Sequence, residues 1–324
     1  MTAGYPAGRG AGGPNRTSFL IVSDFDVVTG AFSYSGRAIA AALMASGRRV
    51  RTLTGHPERA SSSSGIEVRP LDFSDPSGLR TSLEGATTLY NTYWVRFPHG
   101  PTTHDVAVAN SRSLFRAARE AGVSRVVHVS ITHPSTSSPY PYFKGKALVE
   151  EALRESGVPA SVLRPAILFG GDGVLVNNIA FLLRRLPVFF VGGRGDYRVR
   201  PVHVEDLAKL CLEHASLNGE HVVDAVGPDR PTFLELVVWI RDAIGSRTAI
   251  YRVPGEVLVA MSQVLGYFLH DVLLTREEYR AMADGLADTE GPATGTTKLS
   301  DWVVENSSQL GVRYANELER HFPK

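Results

Sequence analysis

The feature that most constrains the fold is a regular alternation of short, β-branched segments with segments of helical periodicity, from Asp26 to about residue 165. Six segments have the composition of strands, at 26–29, 50–54, 66–71, 89–93, 125–130 and 160–163. Helical patterns separate several of them, at 36–46, 105–121 and 143–156. Strands that alternate with helices form a parallel sheet through right-handed crossovers. The sequence therefore predicts an α/β fold with a doubly wound parallel sheet of Rossmann type.

The charge balance and the cysteine content argue against several classes of protein. The 324 residues include 34 basic and 33 acidic side chains, whereas a protein that coats nucleic acid needs a clustered basic excess. A single cysteine, Cys211, excludes a disulfide framework, and the ten histidines lack the spacing of metal ligands. No stretch reaches the roughly 18–20 consecutive apolar residues that span a bilayer. We expect a cytoplasmic protein with no transmembrane segment that binds neither metal nor nucleic acid.

A glycine-containing turn follows the first predicted strand and precedes the first predicted helix. Gly30 is placed for a tight turn, and Gly36 for close packing of the helix on the strand. Backbone N–H groups in such a turn, with the positive end of the helix dipole, bind a pyrophosphate. Ser33 stands where a glycine usually allows close approach, and its hydroxyl can donate to a phosphate. The predicted cofactor-binding residues of this turn are Gly30, Phe32, Ser33, Tyr34, Gly36 and Arg37.

The end of the second strand indicates which dinucleotide is bound. A carboxylate at that point holds the ribose hydroxyls of NAD, but the second strand is not followed directly by an acid. His56, Arg59 and Arg37 can instead face a 2′-phosphate, so the sequence favours NADP(H) over NAD(H). Asp72 and Phe73 follow the third strand, where Asp72 either accepts a hydrogen bond from the adenine amino group or caps a turn.

A tyrosine and a lysine one helical turn apart form the candidate catalytic pair. Tyr142 and Lys146 lie four residues apart, and a lysine charge lowers the pKa of a phenol so that it can exchange a proton with a carbonyl or carbinol oxygen. Ser130, at the end of the fifth strand, can hydrogen-bond the same oxygen. Tyr140 and Lys144 have the same spacing, but the prolines that flank Tyr140 keep it extended. We therefore assign catalysis to Tyr142, Lys146 and Ser130.

Several motifs together resemble the short-chain dehydrogenase/reductase superfamily, in its extended and atypical branch. In chain order they are the Gly30–Gly36 turn, Asp72, Asn110, Ser130, Tyr142 with Lys146, the segment 163–170 and the segment 201–208. The similarity extends in particular to NmrA-like proteins and to the dehydrogenase-like accessory subunit of respiratory complex I. The resemblance implies an NAD(P)-binding Rossmann domain, with Asn91, Thr92 and Pro165 also at the cofactor.

The same resemblance implies a function. It points to an NAD(P)(H)-dependent oxidoreductase that transfers a hydride at a carbonyl, imine or hydroxyl-bearing carbon of a small organic substrate. Tyr142 would be the general acid/base, Lys146 would hold the nicotinamide ribose, and Ser130 would orient the reacting oxygen. Two alternatives stay open: a non-catalytic NADPH-binding redox sensor or scaffold subunit, and an epimerase or dehydratase that uses the same site.

The substrate is expected at the carboxyl edge of the sheet, where open α/β sheets bind ligands. The candidate residues lie in loops at that edge or in the C-terminal part of the chain: Tyr93, Trp94, Arg96, His99, Thr132, His133, Asn178 and Arg200. The arginines among them can hold a carboxylate or a phosphate of the substrate.

Beyond Gly170 the alternation ends, and a smaller second lobe is expected. The assigned regions are a disordered tail at 1–18, the Rossmann domain at 19–170 and 200–226, and the C-terminal substrate lobe at 171–199 and 227–324. A hairpin is expected around Gly192–Gly195, and residues 19–22 are either an extra strand or the end of the tail. The apolar stretch 256–274 is expected to pack on the second lobe or at a homodimer contact, rather than on a membrane surface.

Overall fold

The computed structural model describes residue 1 and residues 25–60, 64–98, 100–171 and 173–321. Most of the expected tail, the segment 19–22 and His99 lie outside these residues. Within the described part the strands are β1 (Phe25–Thr29), β2 (Arg49–Thr54), β3 (Glu67–Pro70), β4 (Ala86–Asn91), β5 (Arg125–Val129), β6 (Ala160–Pro165), β7 (Ile167–Phe169), β8 (Val188–Gly192), β9 (Pro201–His203), β10 (His221–Ala225) and β11 (Ala249–Val253). The helices are α1 (Tyr34–Ala45), α2 (Pro76–Leu83), α3 (His104–Glu120), α4 (Pro141–Ser156), α5 (Val174–Arg185), α6 (Val204–Ala215), α7 (Phe233–Ala243), α8 (Gly255–Leu269), α9 (Arg276–Ala283), α10 (Leu299–Glu305) and α11 (Glu317–His321).

Seven parallel strands form the central sheet, in the order β10-β6-β5-β4-β1-β2-β3. The six predicted strands are present with ends shifted by a few residues, so the predicted doubly wound α/β fold is confirmed. The seventh strand, β10, comes from the C-terminal half of the chain and pairs in parallel with β6. The strand order reverses between β1 and β4, which places their carboxyl ends at the crevice where such sheets bind ligands.

Apolar helix faces cover both sides of this sheet. Helices α1 and α6 cover one side through Ile39, Leu43 and Leu207, and α3 and α4 cover the other through Phe115 and Leu153. Each of these side chains is at most 1% exposed, and its burial contributes about 1.5–3 kcal/mol. Because helices lie on both faces, all five residues of β1 are buried. The carboxyl ends of the central strands are therefore fixed by packing on both faces of the sheet.

The C-terminal lobe has its own apolar core, formed between α5, α7 and α10. Leu183, Leu236 and Leu299 are among its fully buried members. Two small parallel sheets, β8 with β11 and β7 with β9, belong to this part of the molecule. Helix α8 packs against β8 and α9, and it leaves Val264 and Phe268 exposed. Within the described residues, no helix combines the length and the apolar character needed to cross a membrane.

The prediction of a hairpin around Gly192–Gly195 is wrong. Gly193 and Gly195 do adopt positive φ angles, of 62° and 71°, so the chain turns there. However, β8 pairs in parallel with the distant β11. After the turn the chain runs toward α7, where Phe233 N donates to Tyr197 O at 2.9 Å. The glycines signal the turn, but the partner of β8 is decided by packing between distant segments.

Candidate active site

Glycine residues shape the turn between β1 and α1. Gly30 has a φ of 65°, a left-handed conformation that glycine adopts without strain. Its N–H donates to Leu53 O of β2 at 2.9 Å, which ties the turn to the sheet. Gly36 lies so close that a Cβ there would be 2.1 Å from Gly30 O. The backbone itself therefore requires glycine at both positions.

Ser33 is the N-cap residue of α1, and its hydroxyl is used inside the turn. It donates to Gly30 O at 2.6 Å and makes no cap hydrogen bond to the helix. Residues 32–35 line a cavity. A helix N-terminus that lacks a side-chain cap and opens into a cavity fits a pyrophosphate, so these residues suit a dinucleotide. Because the Ser33 hydroxyl is already used inside the turn, contacts to a pyrophosphate would come from backbone N–H groups.

Tyr34 connects this turn to the end of β7. Its hydroxyl donates to Gly170 O at 2.7 Å, and a Cβ at Gly173 would lie 2.6 Å from the same hydroxyl. The ring therefore stands where the first helix meets the C-terminal lobe. This position lets Tyr34 close one side of the cavity.

Charged side chains of both signs line the cavity near the helical turn 57–59. Arg37 and Arg59 line it, and so does Glu58. His56 does not line it, and its Nδ1 lies 3.1 Å from Glu58 Oε1. This end of the cavity thus presents two guanidinium groups and one carboxylate.

Beneath the turn, Asn91 connects the ends of three strands. Its Oδ1 accepts from Thr29 Oγ1 at 3.1 Å, and its Nδ2 lies 3.1 Å from Nδ1 of His128. Burial, together with the charge of Lys146, lowers the pKa of His128 well below its usual value, so the imidazole is neutral. Asn91 is completely buried and does not line the cavity, whereas the adjacent Thr92 does. The network fixes the strand ends from which the site is built.

Tyr142 and Lys146 occupy successive turns of α4 and line the same cavity. Lys146 Nζ donates to Val129 O at 3.0 Å and lies 4.9 Å from the centre of the Trp94 ring. Burial, only partly offset by the Glu150 carboxylate, lowers the pKa of Lys146 to about 7. The lysine therefore changes its charge near neutral pH.

An aromatic box surrounds the Tyr142 ring. The ring stands edge-on to Trp94 and to His104, with centroid distances of 5.8 and 5.9 Å, while Trp94 and His104 stack in parallel at 5.6 Å. Gly145 makes room for the indole, because a Cβ there would lie 2.6 Å from Trp94 Cη2. Burial raises the pKa of Tyr142, and the positive charge of Arg96 opposes this rise. The phenol is therefore neutral, and further positive charge nearby would favour its ionisation.

Ser130 lines the cavity, but its hydroxyl is hydrogen-bonded to a buried carboxylate. Its Oγ donates to Glu150 Oε1 at 2.5 Å. Glu150 lies one turn after Lys146 and receives two hydrogen bonds from Arg164, of which that from Nε measures 3.0 Å. The serine hydroxyl would have to rotate away from Glu150 to reach a substrate oxygen.

The alternative pair of Tyr140 and Lys144 is divided between two environments. Tyr140 precedes α4, which begins at Pro141, and its hydroxyl donates to the Asp284 carboxylate of the C-terminal lobe. Lys144 is exposed. Tyr140 therefore lines the cavity with its hydroxyl held by the lobe, whereas Lys144 lies at the surface.

A cavity of about 1750 Å³ connects the Gly30–Gly36 turn, the Tyr142 pair and the C-terminal lobe. The predicted site residues that line it are Phe32, Ser33, Tyr34, Arg37, Arg59, Thr92, Trp94, Arg96, Ser130, Tyr142, Lys146, Pro165 and Asn178. Those that do not line it are Gly30, Gly36, His56, Asp72, Phe73, Asn91, Tyr93, Thr132, His133 and Arg200. The two glycines nevertheless form the turn on which the lining residues stand.

Two of the predicted cofactor residues have partners outside the cavity. Asp72 Oδ1 accepts from both N and Oγ of Ser74, at 2.9 and 2.6 Å, which favours the turn-capping alternative. Phe73 packs on the Tyr93 ring at a centroid distance of 5.0 Å. The Tyr93 hydroxyl in turn accepts from Asn110 Nδ2 at 2.8 Å.

Three of the predicted substrate residues hold a loop of the C-terminal lobe. Thr132 Oγ1, His133 Nε2 and Arg200 Nη1 each contact backbone carbonyl groups within residues 286–291. Arg200 also donates through Nε to Gly227 O at 3.3 Å. Their contacts attach this loop to the sheet edge rather than reach into the cavity.

Arg96 pairs with two acidic residues of the C-terminal lobe. Its Nε lies 2.7 Å from Glu278 Oε1, and its Nη1 lies 3.0 Å from Glu317 Oε2. Although burial disfavours the charge, the two carboxylates raise the pKa of Arg96 above its usual value. Arg96 therefore joins the Rossmann body to the lobe beside Tyr142.

Sequence reasoning missed His104, Glu150 and the two acidic partners of Arg96. A signal existed for Glu150, because Tyr142, Lys146 and Glu150 recur every four residues and therefore share one helix face. His104 begins α3, far along the chain from α4, and no local spacing relates it to Tyr142.

Comparison with known proteins agrees with this geometry. Residues 30–180 match a family model described as NAD(P)H-binding. The chain is 31% identical over 264 residues to sterol demethylase protein B of Methylococcus capsulatus, an alignment that covers 72% of this chain and 78% of that protein. It is 24% identical over 288 residues to NADH dehydrogenase (ubiquinone) 1 alpha subcomplex subunit 9 of Arabidopsis thaliana, covering 83% and 69%. It spans 57% of the rat protein of that name.

Solved structures share the fold. Citrobacter sp. triphenylmethane reductase, in a crystal structure with NADP(H), superposes with a TM-score of 0.72 over 87% of this chain and 99% of that chain, at 21% identity. At 21% identity, this similarity shows a shared fold.

Proposed function

The chain belongs to the NAD(P)H-binding family of extended short-chain dehydrogenase/reductase type, and on this basis we propose that it is an NAD(P)(H)-dependent oxidoreductase with Tyr142 as its general acid/base. The reaction proposed is hydride transfer at a carbonyl, imine or hydroxyl-bearing carbon of an organic substrate. Lys146 supports Tyr142, and residues 30–37 hold the cofactor.

The observation that carries this proposal is the continuity of the cavity. The same cavity is lined by residues 32–35 at the N-terminus of α1 and by Tyr142 and Lys146 on α4. A dinucleotide whose pyrophosphate lies at the α1 terminus would therefore share its space with the proposed acid/base.

Each residue would have a defined task in catalysis. The backbone of the Gly30–Gly36 turn would hold the pyrophosphate, and the cofactor, when bound, supplies or accepts a hydride at the substrate carbon. Tyr142 Oη would donate a proton to the reacting oxygen, or take it in the reverse direction. The Lys146 ammonium, one turn away, would stabilise the resulting tyrosinate. The aromatic box of Trp94 and His104 would exclude water from the proton transfer.

We extend the proposal to a preference for NADP(H). Arg37 and Arg59 line the cavity, and guanidinium groups suit a 2′-phosphate. The Glu58 carboxylate opposes this preference, although its side chain is exposed and contacts His56. A solved structure of similar fold is a complex with NADP(H), which supports the same choice.

A second candidate is an NADPH-binding sensor or scaffold without turnover. Two observations favour it: the Ser130 hydroxyl donates its hydrogen bond to Glu150, and the pKa of Tyr142 is raised. A relative named as a subunit of NADH dehydrogenase also favours it. An epimerase or dehydratase would use the same cofactor turn and the same tyrosine, and epimerases are among the similar folds.

Calorimetric titration with NADPH and, separately, NADH tests the cofactor site. We expect micromolar binding of NADPH and weaker binding of NADH. Tighter binding of NADH would reject the NADP(H) preference but keep the oxidoreductase. Binding of neither would reject the proposed function.

Replacing Tyr142 with Phe tests the catalytic assignment. With an active carbonyl substrate from a screen, Tyr142→Phe should lower kcat by about 10²–10⁴-fold and leave NADPH affinity unchanged, because only the proton transfer is lost. Tyr140→Phe is the comparison variant, since this hydroxyl contacts Asp284. A large loss in Tyr140→Phe, with Tyr142→Phe active, would contradict the assignment.

A further inference from the structure

We propose that the part of the cavity enclosed by α5, β8 and α8, termed the apolar arm, binds a large uncharged apolar organic molecule. The proposed function is needed only for the claim that the reacting end of this molecule reaches Tyr142. Binding in the arm itself is independent of catalysis. The inference narrows the substrate from a generic organic compound to a hydrophobic one.

The lining of the apolar arm is aliphatic and aromatic. Examples from each element are Leu175, Ile179 and Leu182 of α5, Phe190 of β8, and Leu265 and Phe268 of α8. None of the residues of these three elements that line the cavity carries a charge. Covering this surface with an apolar ligand is favourable, because apolar area is removed from water. The surface offers no charged group to a polar substrate.

The two hydrogen-bonding side chains in the arm are satisfied within the protein. Asn178 donates through Nδ2 to Ala315 O at 2.9 Å and accepts at Oδ1 from Ala315 N at 3.0 Å. Ser262 Oγ donates to Val259 O at 2.8 Å. A polar ligand in the arm would therefore lose its hydration without gaining these groups as partners.

The size of the cavity also favours a large ligand. Its volume of about 1750 Å³ exceeds the roughly 300–1000 Å³ of common small-molecule sites. A dinucleotide at the α1 terminus fills one end, and the arm remains as additional space. A small polar substrate would leave most of this apolar surface in contact with trapped water.

The charged groups at the inner end of the arm disfavour an anionic ligand. Arg96, which influences Tyr142, is paired with Glu278 and Glu317. Its charge is therefore compensated, and it does not attract a carboxylate or phosphate. This arrangement differs from the expectation that Arg96 binds an anionic substrate.

Side chains of α8 provide the entrance to the arm. Met261, Val264 and Phe268 recur at helical spacing, line the cavity and are 37%, 62% and 71% exposed. They place apolar side chains both at the outer surface and along the cavity wall. An apolar ligand that enters beside α8 would therefore meet apolar side chains first.

A fluorescence titration with phenylnaphthylamine, an uncharged apolar probe, tests the arm directly. The native chain should bind the probe with micromolar Kd, and Val264→Asp should weaken binding by about tenfold because a carboxylate at the entrance opposes an apolar ligand. Val304→Asp is the matched control, since Val304 is also helical and 61% exposed but does not line the cavity. Equal affinities in the two variants, or no binding by the native chain, would overturn the proposal.

Anilinonaphthalene sulfonate, which adds one negative charge to the same ring system, tests the charge preference. It should bind at least about tenfold more weakly than phenylnaphthylamine. Tighter binding of the sulfonate would overturn the assignment of an uncharged ligand.

NADPH titration of the same variants separates the two proposals. Both variants should bind NADPH as the native chain does. Probe binding without NADPH binding would reject the proposed function and keep the apolar arm. NADPH binding without probe binding would reject the arm and keep the cofactor site.

Discussion

Lys146 is the residue at which stability and function conflict. The lysine is 3% exposed, and for its ammonium group the structure provides Val129 O as hydrogen-bond acceptor and the Trp94 ring as neighbour. Burial of the ammonium disfavours its charged form, yet the proposed chemistry needs that charge beside Tyr142. The fold therefore maintains a destabilising group at its proposed reaction centre.

Replacing Lys146 with Met should stabilise the chain, and by an amount that depends on pH. The folded-state pKa of about 7 lies below the ordinary value of 10.5. The burial penalty is therefore fully present below about pH 7 and declines as the pH rises toward 10.5. We expect a gain of about 2 kcal/mol in the free energy of unfolding at about pH 6, and a smaller gain at about pH 9.

Urea unfolding of Lys146→Met at both pH values checks this prediction. Lys144→Met is the control, because Lys144 is exposed on the same helix and its replacement should change stability little. A gain that does not vary with pH would show that the buried charge is not its source.

At the scale of elements, helix α1 and the turn before it form one unit. Gly36 belongs to the first turn of α1, and its backbone packs directly on Gly30 O. A side chain at this position would separate the helix N-terminus from the strand. The distance between the two glycines thus determines whether the N–H groups of α1 can reach a pyrophosphate.

Gly36→Ala should therefore weaken NADPH binding by more than about tenfold and destabilise the fold by about 2 kcal/mol, because the added Cβ would lie 2.1 Å from a backbone oxygen. Calorimetric titration and thermal unfolding measure the two effects. Gly291→Ala is the matched control, since a Cβ at Gly291 meets no atom within 4 Å. Normal NADPH affinity in Gly36→Ala would contradict the assigned role of the turn.

At the scale of the whole molecule, the C-terminal lobe is attached to the Rossmann body by polar contacts around the cavity. Arg96 pairs with Glu278 and Glu317, and Tyr140 contacts Asp284. These contacts come from segments far apart in the chain. They hold α9 and α11 beside Tyr142, so the lobe closes the site.

Arg96→Gln should loosen this attachment. Removing the guanidinium takes the shared partner away from two carboxylates, one of them only 9% exposed, and should cost about 1–3 kcal/mol of stability. Hydrogen exchange in α9 and α11 should accelerate more than in β1. Arg112→Gln removes a surface ion pair with Glu155 and should change stability by less than about 0.5 kcal/mol. Equal effects of the two variants would contradict the role of Arg96 in lobe attachment.

The sequence by itself determined the features that depend on local periodicity. The alternation of strands and helices predicted the parallel sheet, because that pattern has few compatible topologies. The Gly30–Gly36 spacing identified the turn, because the two glycines that must pack closely are only six positions apart in the chain. The four-residue spacing placed Tyr142 and Lys146 on one helix face. Their catalytic roles and the preference for NADP(H) stay predictions.

Tertiary structure alone decided the features that depend on distant contacts. The hydroxyl of Ser130 meets Glu150, the charge of Arg96 meets Glu278 and Glu317, and the strand β8 meets β11. Local patterns carry no information about such partners, because a side chain reaches whichever group the packed helices bring within a few ångströms. The cavity and its apolar arm arise in the same way, from faces of α5, β8 and α8 that become neighbours only when the chain is folded.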